Sequence, residues 1–217
     1  MGNREDLLAG AKRCLLEKGY ARTTARDIAV ASGVSLAAIG YHYGSKEALL
    51  TAALVEAIEE WGADLGRLLA QESASGGAGS FVATWTKVVE SLGASRPLWA
   101  VQFETIAHLE RTPEMRVAFP ESTREARLGL AHLFGHAVGG GADGGADGDS
   151  ADEGGTDGAD VDTALAVGAF YQALLVGTAA LWLSDPASVP SGEDLVVALR
   201  AVAARTEPAA PAPDGTP

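Results

Sequence analysis

Two pairs of side chains have a spacing that could support metal binding or proton transfer. His132 and His136 stand four residues apart. Glu104 and His108 have the same spacing, so each pair would share one face of a helix and could supply two metal ligands, or an acid and a base. A third ligand is not apparent, and no nucleophile elbow, phosphate-binding loop or dinucleotide fingerprint accompanies the pairs. We therefore expect no metal, no cofactor and no catalytic residue, and place the histidines on the surface or in a pocket.

Residues 23–46 suggest a different chemistry, contact with DNA. Lys46 is expected in the first turn of a helix capped by Ser45, where free backbone amides and the helix dipole favour an anion such as a phosphate. The short helix before it would present on its outer face Leu36, Ala37, Gly40 and Tyr41. Such a helix can enter the major groove of DNA, which is about 12 Å wide.

Two short helices joined by a tight turn would position these side chains. Thr24 and Asp27 have the spacing of a capping box, which predicts that the first helix begins at Thr24. Gly33 can adopt the left-handed conformation that ends this helix. After the turn, Ser35 is expected to cap a second helix that ends at Gly44. The motif, about residues 24–43, is interpreted as a helix-turn-helix, although an ordinary helical hairpin could use the same caps and glycines.

The same stretch resembles the N-terminal domain of the TetR family of transcriptional regulators. The resemblance is continuous over about residues 5–55 and is carried by Gly19-Tyr20, Thr24, Asp27-Ile28-Ala29, Gly33-Val34-Ser35, Ile39 and His42 to Leu49. One position departs from the family pattern: where many members carry an aromatic residue that contacts phosphate, this chain has Gly40. Neighbouring Tyr41 and His42 are expected to contact the DNA backbone in its place.

The resemblance implies a homodimeric transcriptional repressor that a small apolar molecule releases from a palindromic double-stranded DNA operator. The residues expected on phosphates are Thr24, Ser35, Tyr41, His42 and Lys46. Those expected on bases are Leu36, Ala37 and Ala38, which suit thymine methyls, and Arg26, which suits guanine. The alternatives are a helical sensor or enzyme with a vestigial DNA-binding head, a regulator without a small-molecule ligand, and an activator.

Charge and cysteine content bear on partners and compartment. The 217-residue chain has a formal net charge of −13, but residues 1–50 hold seven Lys or Arg against five Asp or Glu. This part therefore carries +2 and the remainder −15, which disfavours indiscriminate DNA binding while leaving one end able to approach DNA. The one cysteine, Cys14, lies on an apolar helix face, and the N-terminus lacks a signal-peptide run. We expect a cytoplasmic protein without disulfides or thiol redox chemistry.

The fold class is expected to be all-α, with two domains. We predict a three-helix DNA-binding head at residues 1–48, a helical ligand-binding and dimerisation body at residues 49–206, and a disordered tail at residues 207–217. The first helix would be capped by Asn3 and end at Gly19. The other helices are expected from Ser45 to about Gln71, then over residues 81–92, 98–111, 114–138 with a kink or break at Pro120, 163–183 and 193–205, the last capped by Ser191.

Two segments of the body have an unusual composition. Residues 139–160 contain nine glycines, seven acidic residues and no large apolar side chain, which predicts a flexible acidic loop. Residues 163–183 contain no charge and are long enough to cross a membrane. We reject a membrane span, because the flanks are acidic, basic anchors are missing, and Ala, Gly, Thr and Gln dilute the hydrophobicity.

Two sets of body residues are candidates for binding a ligand and a second copy. The pocket candidates combine aromatic rings with a few polar groups: Trp61, Trp85, Trp99, Gln102, Phe103, His108, Phe134 and Tyr171. The dimer candidates form a stripe of small residues and neighbouring apolar positions on the last two helices: Ala169, Ala173, Gly177, Leu181, Leu195 and Leu199. The family resemblance implies a cavity between the long helix and the three that follow it, and a four-helix bundle across a twofold axis.

Overall fold

The computed structural model describes residues 2–74, 81–109, 119–139 and 156–206, and within these ranges it contains helices and no strand. The α-helices in chain order are α1 (Asn3–Lys18), α2 (Ala25–Ser32), α3 (Leu36–Tyr43), α4 (Lys46–Ala74), α5 (Phe81–Ala94), α6 (Arg96–Leu109), α7 (Phe119–Gly139), α8 (Thr156–Ser184) and α9 (Gly192–Thr206). A 3₁₀ turn at Pro186–Ser188 joins α8 to α9. The predicted all-α class is confirmed.

The head is built around α1, which packs against α2, α3 and α4. Its apolar face places Leu7, Ala11 and Leu15 at 0% exposure, and each buried leucine contributes about 1.5–3 kcal/mol of transfer free energy. Gly19 ends α1 with φ +84°, as predicted. The predicted Asn3 cap is wrong: Gly2 is the cap and Asn3 is the first helical residue, because Glu5 accepts from the amide of Gly2 at 3.3 Å.

The body buries a cluster of aromatic rings between α5, α7 and α8. Phe134 stacks on Tyr171 with ring centroids 4.2 Å apart, and Phe81 and Trp85 lie 6.1 and 6.2 Å from the Phe134 ring. All four side chains are at most 9% exposed. Helices α7 and α8 approach closely at Gly168, where an added Cβ would clash with the backbone of Arg127. The structure therefore uses these aromatics as core.

Several predicted boundaries shift. Helix α4 continues to Ala74, three residues beyond the predicted end. The predicted acidic loop is too long, because α8 begins at Thr156 and includes residues 156–160. Pro120 lies in the first turn of α7, where its missing amide is tolerated, so it is not an interior kink of the described helix. Residues 110–118, 140–155 and the predicted tail lie outside the described residues.

The last helix starts as predicted. Ser191 and Asp194 form a capping box in which the Asp194 carboxylate accepts from the Ser191 amide at 3.0 Å and hydroxyl at 2.6 Å, and the Asp194 amide donates to the Ser191 hydroxyl at 3.1 Å. These bonds hold the pKa of the Asp194 carboxyl below its usual range. The cap fixes α9 against α5, where a Cβ on Gly192 would lie 2.8 Å from the Cα of Val82.

Candidate nucleic-acid interface and ligand cavity

Helix α2 begins at a capping box that is also tied to α1. The Asp27 amide donates to the Thr24 hydroxyl at 3.1 Å, and the Asp27 carboxylate accepts from the Thr24 amide at 2.9 Å and hydroxyl at 2.6 Å. The Lys18 ammonium donates to the same carboxylate at 2.6 Å. The Lys18 ammonium, followed by the Thr24 bonds, holds the pKa of Asp27 well below its usual range. The predicted capping box is confirmed, and the Thr24 hydroxyl is already engaged inside the head.

The turn between α2 and α3 depends on Gly33. Its φ is +71°, in the left-handed region, and its amide donates to the carbonyl of Ala29 at 3.0 Å. Ser35 then occupies the N-cap position of α3 with extended backbone, but its side chain makes no capping hydrogen bond, so the prediction of a side-chain cap is wrong. The first turn is closed instead by the backbone, with the Ala38 amide donating to the Ser35 carbonyl at 3.0 Å. The exposed Ser35 hydroxyl therefore makes no hydrogen bond that closes the start of α3.

Helix α3 presents a distinct outer face. Ile39 is 4% exposed and anchors the helix in the head, whereas Leu36 and Tyr41 are 51% and 86% exposed. Ala37 and Gly40 are also exposed. His42 is half-buried with its ring edge-on to Tyr41 at 4.9 Å. Ala38 does not share this face: it is partly buried and packs against the core, because it lies one residue before the Ile39 anchor.

The cations of the head differ in how they are engaged. The Lys46 ammonium donates to the Thr23 carbonyl at 3.2 Å, lies 3.4 Å from a Glu47 carboxylate oxygen and 5.9 Å from the centre of the Tyr20 ring. It therefore closes the start of α4 onto the head rather than pointing freely outward. Arg26 is exposed at the start of α2, and no hydrogen bond or ion pair is found for it among the described residues. Arg26 is the cation best placed to reach an external anion.

Glu104 connects the body to the head. Its two carboxylate oxygens accept from the backbone amides of Tyr20 and Ala21 at 2.8 and 2.9 Å, immediately after the end of α1. A Cβ on Gly19 would lie 2.8 Å from the same carboxylate, so only glycine leaves room for this contact. His108, one turn further along α6, lies 5.2 Å from the Tyr20 ring. Glu104 and His108 thus both contact the head. His108 was predicted to line a ligand pocket, but it is not among the residues that line the cavity described below.

A cavity of about 520 Å³ lies between α4, α6, α7 and α8. Of the eight predicted pocket residues, Trp61, Trp99 and Gln102 line it. Trp85, Phe134 and Tyr171 belong to the aromatic core, and Phe103 is partly buried against the hydrophobic core of the molecule. The wall residues that the sequence analysis did not select are Val55, Ile58, Glu59, Gly62, Leu65, Gly66, Thr123, Glu125, Ala126, Gly129, Leu130, His132, Leu133, Gln172, Leu175 and Val176.

The cavity wall contains polar atoms with unmet hydrogen-bonding capacity. The indoles of Trp61 and Trp99 meet edge to face, with ring centroids 5.0 Å apart and planes at 87°. Both indole nitrogens and the side-chain oxygen of Gln102 are buried, and none has a hydrogen-bond partner within the described part of the chain. Because buried polar groups are nearly always paired, these atoms are suited to pair with a bound molecule.

No group of three or more His, Cys, Asp or Glu side chains that could hold a metal ion occurs among the residues that the structure describes. His132 lies at the cavity, and the side chain of His136 is outside the described residues. Cys14 is buried, and burial raises the pKa of its thiol.

The outer surface of α8 is apolar. Asp160–Ser184 has a mean hydropathy of 1.7 and by length and composition could cross a membrane, with 28% of its most apolar window buried. Val167, Phe170 and Leu181 are 38–46% exposed. In the predicted dimer stripe, Ala173 and Gly177 are exposed and Ala169 is half-buried. Leu195, by contrast, is 8% exposed and belongs to the core, and Leu199 packs partly against it.

Known proteins match both the head and the fold. A family model for bacterial regulatory proteins of the tetR family matches residues 7–53. The HTH-type transcriptional repressor AcnR of Corynebacterium efficiens is 42% identical over 52 residues, covering 24% of this chain and 28% of AcnR. AcnR of Corynebacterium glutamicum is 44% identical over 50 residues, covering 23% and 27%. Both matches leave most of each relative's length uncovered.

Solved structures extend the likeness to nearly the whole chain. The multidrug binding protein EbrR, complexed with imidazole, has a TM-score of 0.57 at 21% identity, covering 96% of this chain and 92% of EbrR. A protein from Rhodococcus sp. RHA1 has a TM-score of 0.63 at 19% identity, with coverages of 92% and 93%. A TetR transcription regulator from Haloarcula marismortui has a TM-score of 0.54 at 19% identity, with coverages of 93% and 95%. At these identities the likeness establishes the shared fold. The similarity to bacterial regulatory proteins of the tetR family lies in residues 7–53, the segment that contains the helix-turn-helix.

Proposed function

We propose that this protein is a homodimeric transcriptional repressor of the cytoplasm that a small molecule releases from a palindromic DNA operator. The observation that carries the proposal is the outer face of α3, which is held in a capped helix-turn-helix and leaves Leu36 and Tyr41 exposed. The AcnR relatives, which match this segment, are HTH-type transcriptional repressors. The proposal assigns no chemical reaction to the protein.

DNA contact is assigned to the outer face of α3 and its neighbours. Leu36 and Ala37 offer apolar contact to thymine methyls, and Arg26 offers bidentate hydrogen bonds to a guanine. Ser35, Tyr41 and His42 contact phosphates. The side chains of Thr24 and Lys46 already make hydrogen bonds within the head. At these two helix starts we therefore assign phosphate contact to the free backbone amides. The Lys46 ammonium can add a contact if it leaves the Thr23 carbonyl for a phosphate.

Dimerisation is assigned to the exposed face of α8. A Cβ on Gly177 meets no atom within 4 Å, so this position is open to a second helix. Val167, Phe170 and Leu181 would be covered by the same contact, which accounts for the low burial of an apolar helix without a membrane. Leu195 and Leu199 lie on α9, which packs against α5, so we assign them a supporting role rather than a direct one in the dimer contact.

The link from ligand to DNA is assigned to α4 and α6. Helix α6 carries Trp99 and Gln102 in the cavity wall and Glu104 on the head. Helix α4 carries Trp61 in the same wall and begins at the head with Lys46. A molecule in the cavity that prefers one arrangement of these helices by a few kcal/mol shifts the separation of the two heads and releases the operator.

Selection of random duplex DNA by the purified protein, at near-physiological salt, tests the proposal. We expect enrichment of a palindrome with half-sites about one helical turn apart. A matched selection with Arg26→Ala should relax the preference at one position of each half-site, because this change removes a base contact. Absence of any enriched sequence would contradict the proposal and leave the cavity as the functional part of the molecule.

A further inference from the structure

The charge of the cavity wall is negative. Its lining residues include Glu59 and Glu125 and, in the described part of the molecule, no Lys or Arg. Both carboxylates are exposed at the side of the cavity that meets solvent, and no ion pair is found for either of them there. The nearby arginines, Arg124 and Arg127, are outside the lining, and Arg127 donates to the Gln172 side-chain oxygen at 3.0 Å. A carboxylate or phosphate ligand would thus meet two carboxylates and no Lys or Arg in the wall, together with the imidazole of His132.

The aromatic part of the wall also suits positive charge. The faces of Trp61 and Trp99 are perpendicular, so a flat ring that stacks on one indole presents its edge to the other. Indole has the most favourable ring face for a cation. The remaining surface is mostly aliphatic, with Ile58, Leu130 and Val176 among the residues that can cover an apolar ring system.

The unpaired buried atoms narrow further the range of ligands that the cavity can bind. The Gln102 side-chain oxygen requires a donor, which an amine or ring N–H supplies. The indole N–H groups of Trp61 and Trp99 require an acceptor, such as a ring nitrogen or an ether oxygen. A purely apolar hydrocarbon would leave all three atoms unpaired.

We propose that the cavity binds a planar aromatic amine that is positively charged at neutral pH. Its rings stack on one indole and present an edge to the other, its N–H donates to Gln102, and its charge lies toward Glu59 and Glu125. This ligand class rests on the proposed function, in which the cavity is the ligand site. Binding to the cavity can nevertheless be measured without DNA, so the two proposals can fail independently.

Three probes of similar shape test the charge preference by fluorescence titration of the full chain: proflavin as a cation, acridone as a neutral molecule and acridine-9-carboxylate as an anion. We expect proflavin to bind at least tenfold more tightly than acridone, and the anion to bind most weakly. Equal affinities for the cation and the neutral molecule would overturn the proposal, as would tighter binding of the anion.

Substitutions then locate the charge. Glu59→Gln and Glu125→Gln should each weaken proflavin binding by about fivefold, the size expected for a charge pair exposed to water, and should leave the affinity for acridone unchanged. Glu90→Gln is the matched control, because Glu90 is exposed on α5 and pairs with Lys87 at 3.0 Å, away from the cavity. Equal effects of all three substitutions would refute a charge preference that resides in the cavity wall.

Trp99→Phe and Trp99→Leu separate the ring face from the N–H. Both should weaken proflavin, the leucine variant more, since it removes the π surface as well as the donor. Proflavin binding together with failure of the DNA selection would support the ligand class and contradict the regulator. An enriched operator with no proflavin binding would contradict the ligand class alone.

Discussion

Replacing Glu104 should show how much the junction between head and body contributes to the free energy of unfolding. Its carboxylate accepts from the amides of Tyr20 and Ala21 at 2.8 and 2.9 Å. A hydrogen bond to a charged group contributes about 1.5–3 kcal/mol, but water can replace the carboxylate at the exposed Ala21 amide. We therefore expect Glu104→Ala to lower the free energy of unfolding by about 2 kcal/mol. Glu104→Gln, which keeps one acceptor oxygen, should cost about half of this.

Thermal unfolding followed by circular dichroism measures this effect. For a chain of this size, a loss of 2 kcal/mol corresponds to a fall in Tm of about 4–8 °C. Glu90→Ala is the control, and should change the free energy of unfolding by less than about 0.5 kcal/mol because Glu90 lies on the surface. The same variants should be compared for operator affinity with and without bound proflavin.

The two measurements together test the reasoning about Glu104. If the carboxylate couples the body to the head, Glu104→Ala should reduce the difference in operator affinity between the free and the ligand-bound protein as well as the Tm. A variant that melts at the wild-type temperature would show that the two amides are satisfied equally well by water. A lower Tm with an unchanged response to ligand would limit Glu104 to a structural role.

Four further predictions follow from single residues. Gly33→Ala should destabilise the head by about 1 kcal/mol in urea unfolding, because the φ of Gly33 is +71°. Gly40→Ala, on a helix with open space around it, should stabilise the head by up to about 1 kcal/mol. Equal effects of the two substitutions would show that the backbone conformation of Gly33 carries no strain for alanine. The depressed pKa of Asp27 stabilises the head above about pH 4, the unfolded pKa, and this contribution is lost as the pH falls further, so Asp27→Asn should flatten the fall of Tm with pH in acid. Gly177→Leu fits the monomer but should break the dimer, and a full-size dimer in light scattering would show that the interface lies elsewhere. Lys46→Ala should lower the salt dependence of DNA binding by about one unit of slope, and an unchanged slope would mean that the ammonium stays on Thr23.

The sequence predicted well those features that depend on residues three or four apart. The capping box at Thr24, the cap at Ser191 and the helix ends at Gly19 and Gly33 were found as expected, because a cap or a positive φ is decided within one helical turn. Asn3 and Ser35 show the limit of such reasoning. Each has the right residue type for a cap, but at Asn3 the neighbouring Glu5 shifts the cap by one residue, and at Ser35 the backbone closes the turn instead.

The cavity could not be predicted to the same extent, since its wall is assembled from four helices that are distant in sequence. Aromatic character did not distinguish Trp61 and Trp99, which line the cavity, from Trp85 and Phe134, which fill the core. Helical periodicity places all four on an inward face, and only the packing of helices distant in sequence decides which inward face is filled. The position of His108 beside Tyr20 likewise depends on a contact between residues far apart in the chain.

Three glycines in the cavity wall allow single substitutions to change the shape of the cavity. Gly62 and Gly66 on α4 and Gly129 on α7 line the cavity, and a Cβ added at any of them meets no atom within 4 Å. Alanine at one of these positions would therefore occupy cavity volume without disturbing a neighbour, and would raise the helix propensity by up to about 1 kcal/mol. New specificities in proteins usually arise at a cost in stability, but here each step that narrows the range of ligands also strengthens the helix that carries it. Single substitutions at these glycines can therefore narrow the cavity and stabilise the fold at the same time.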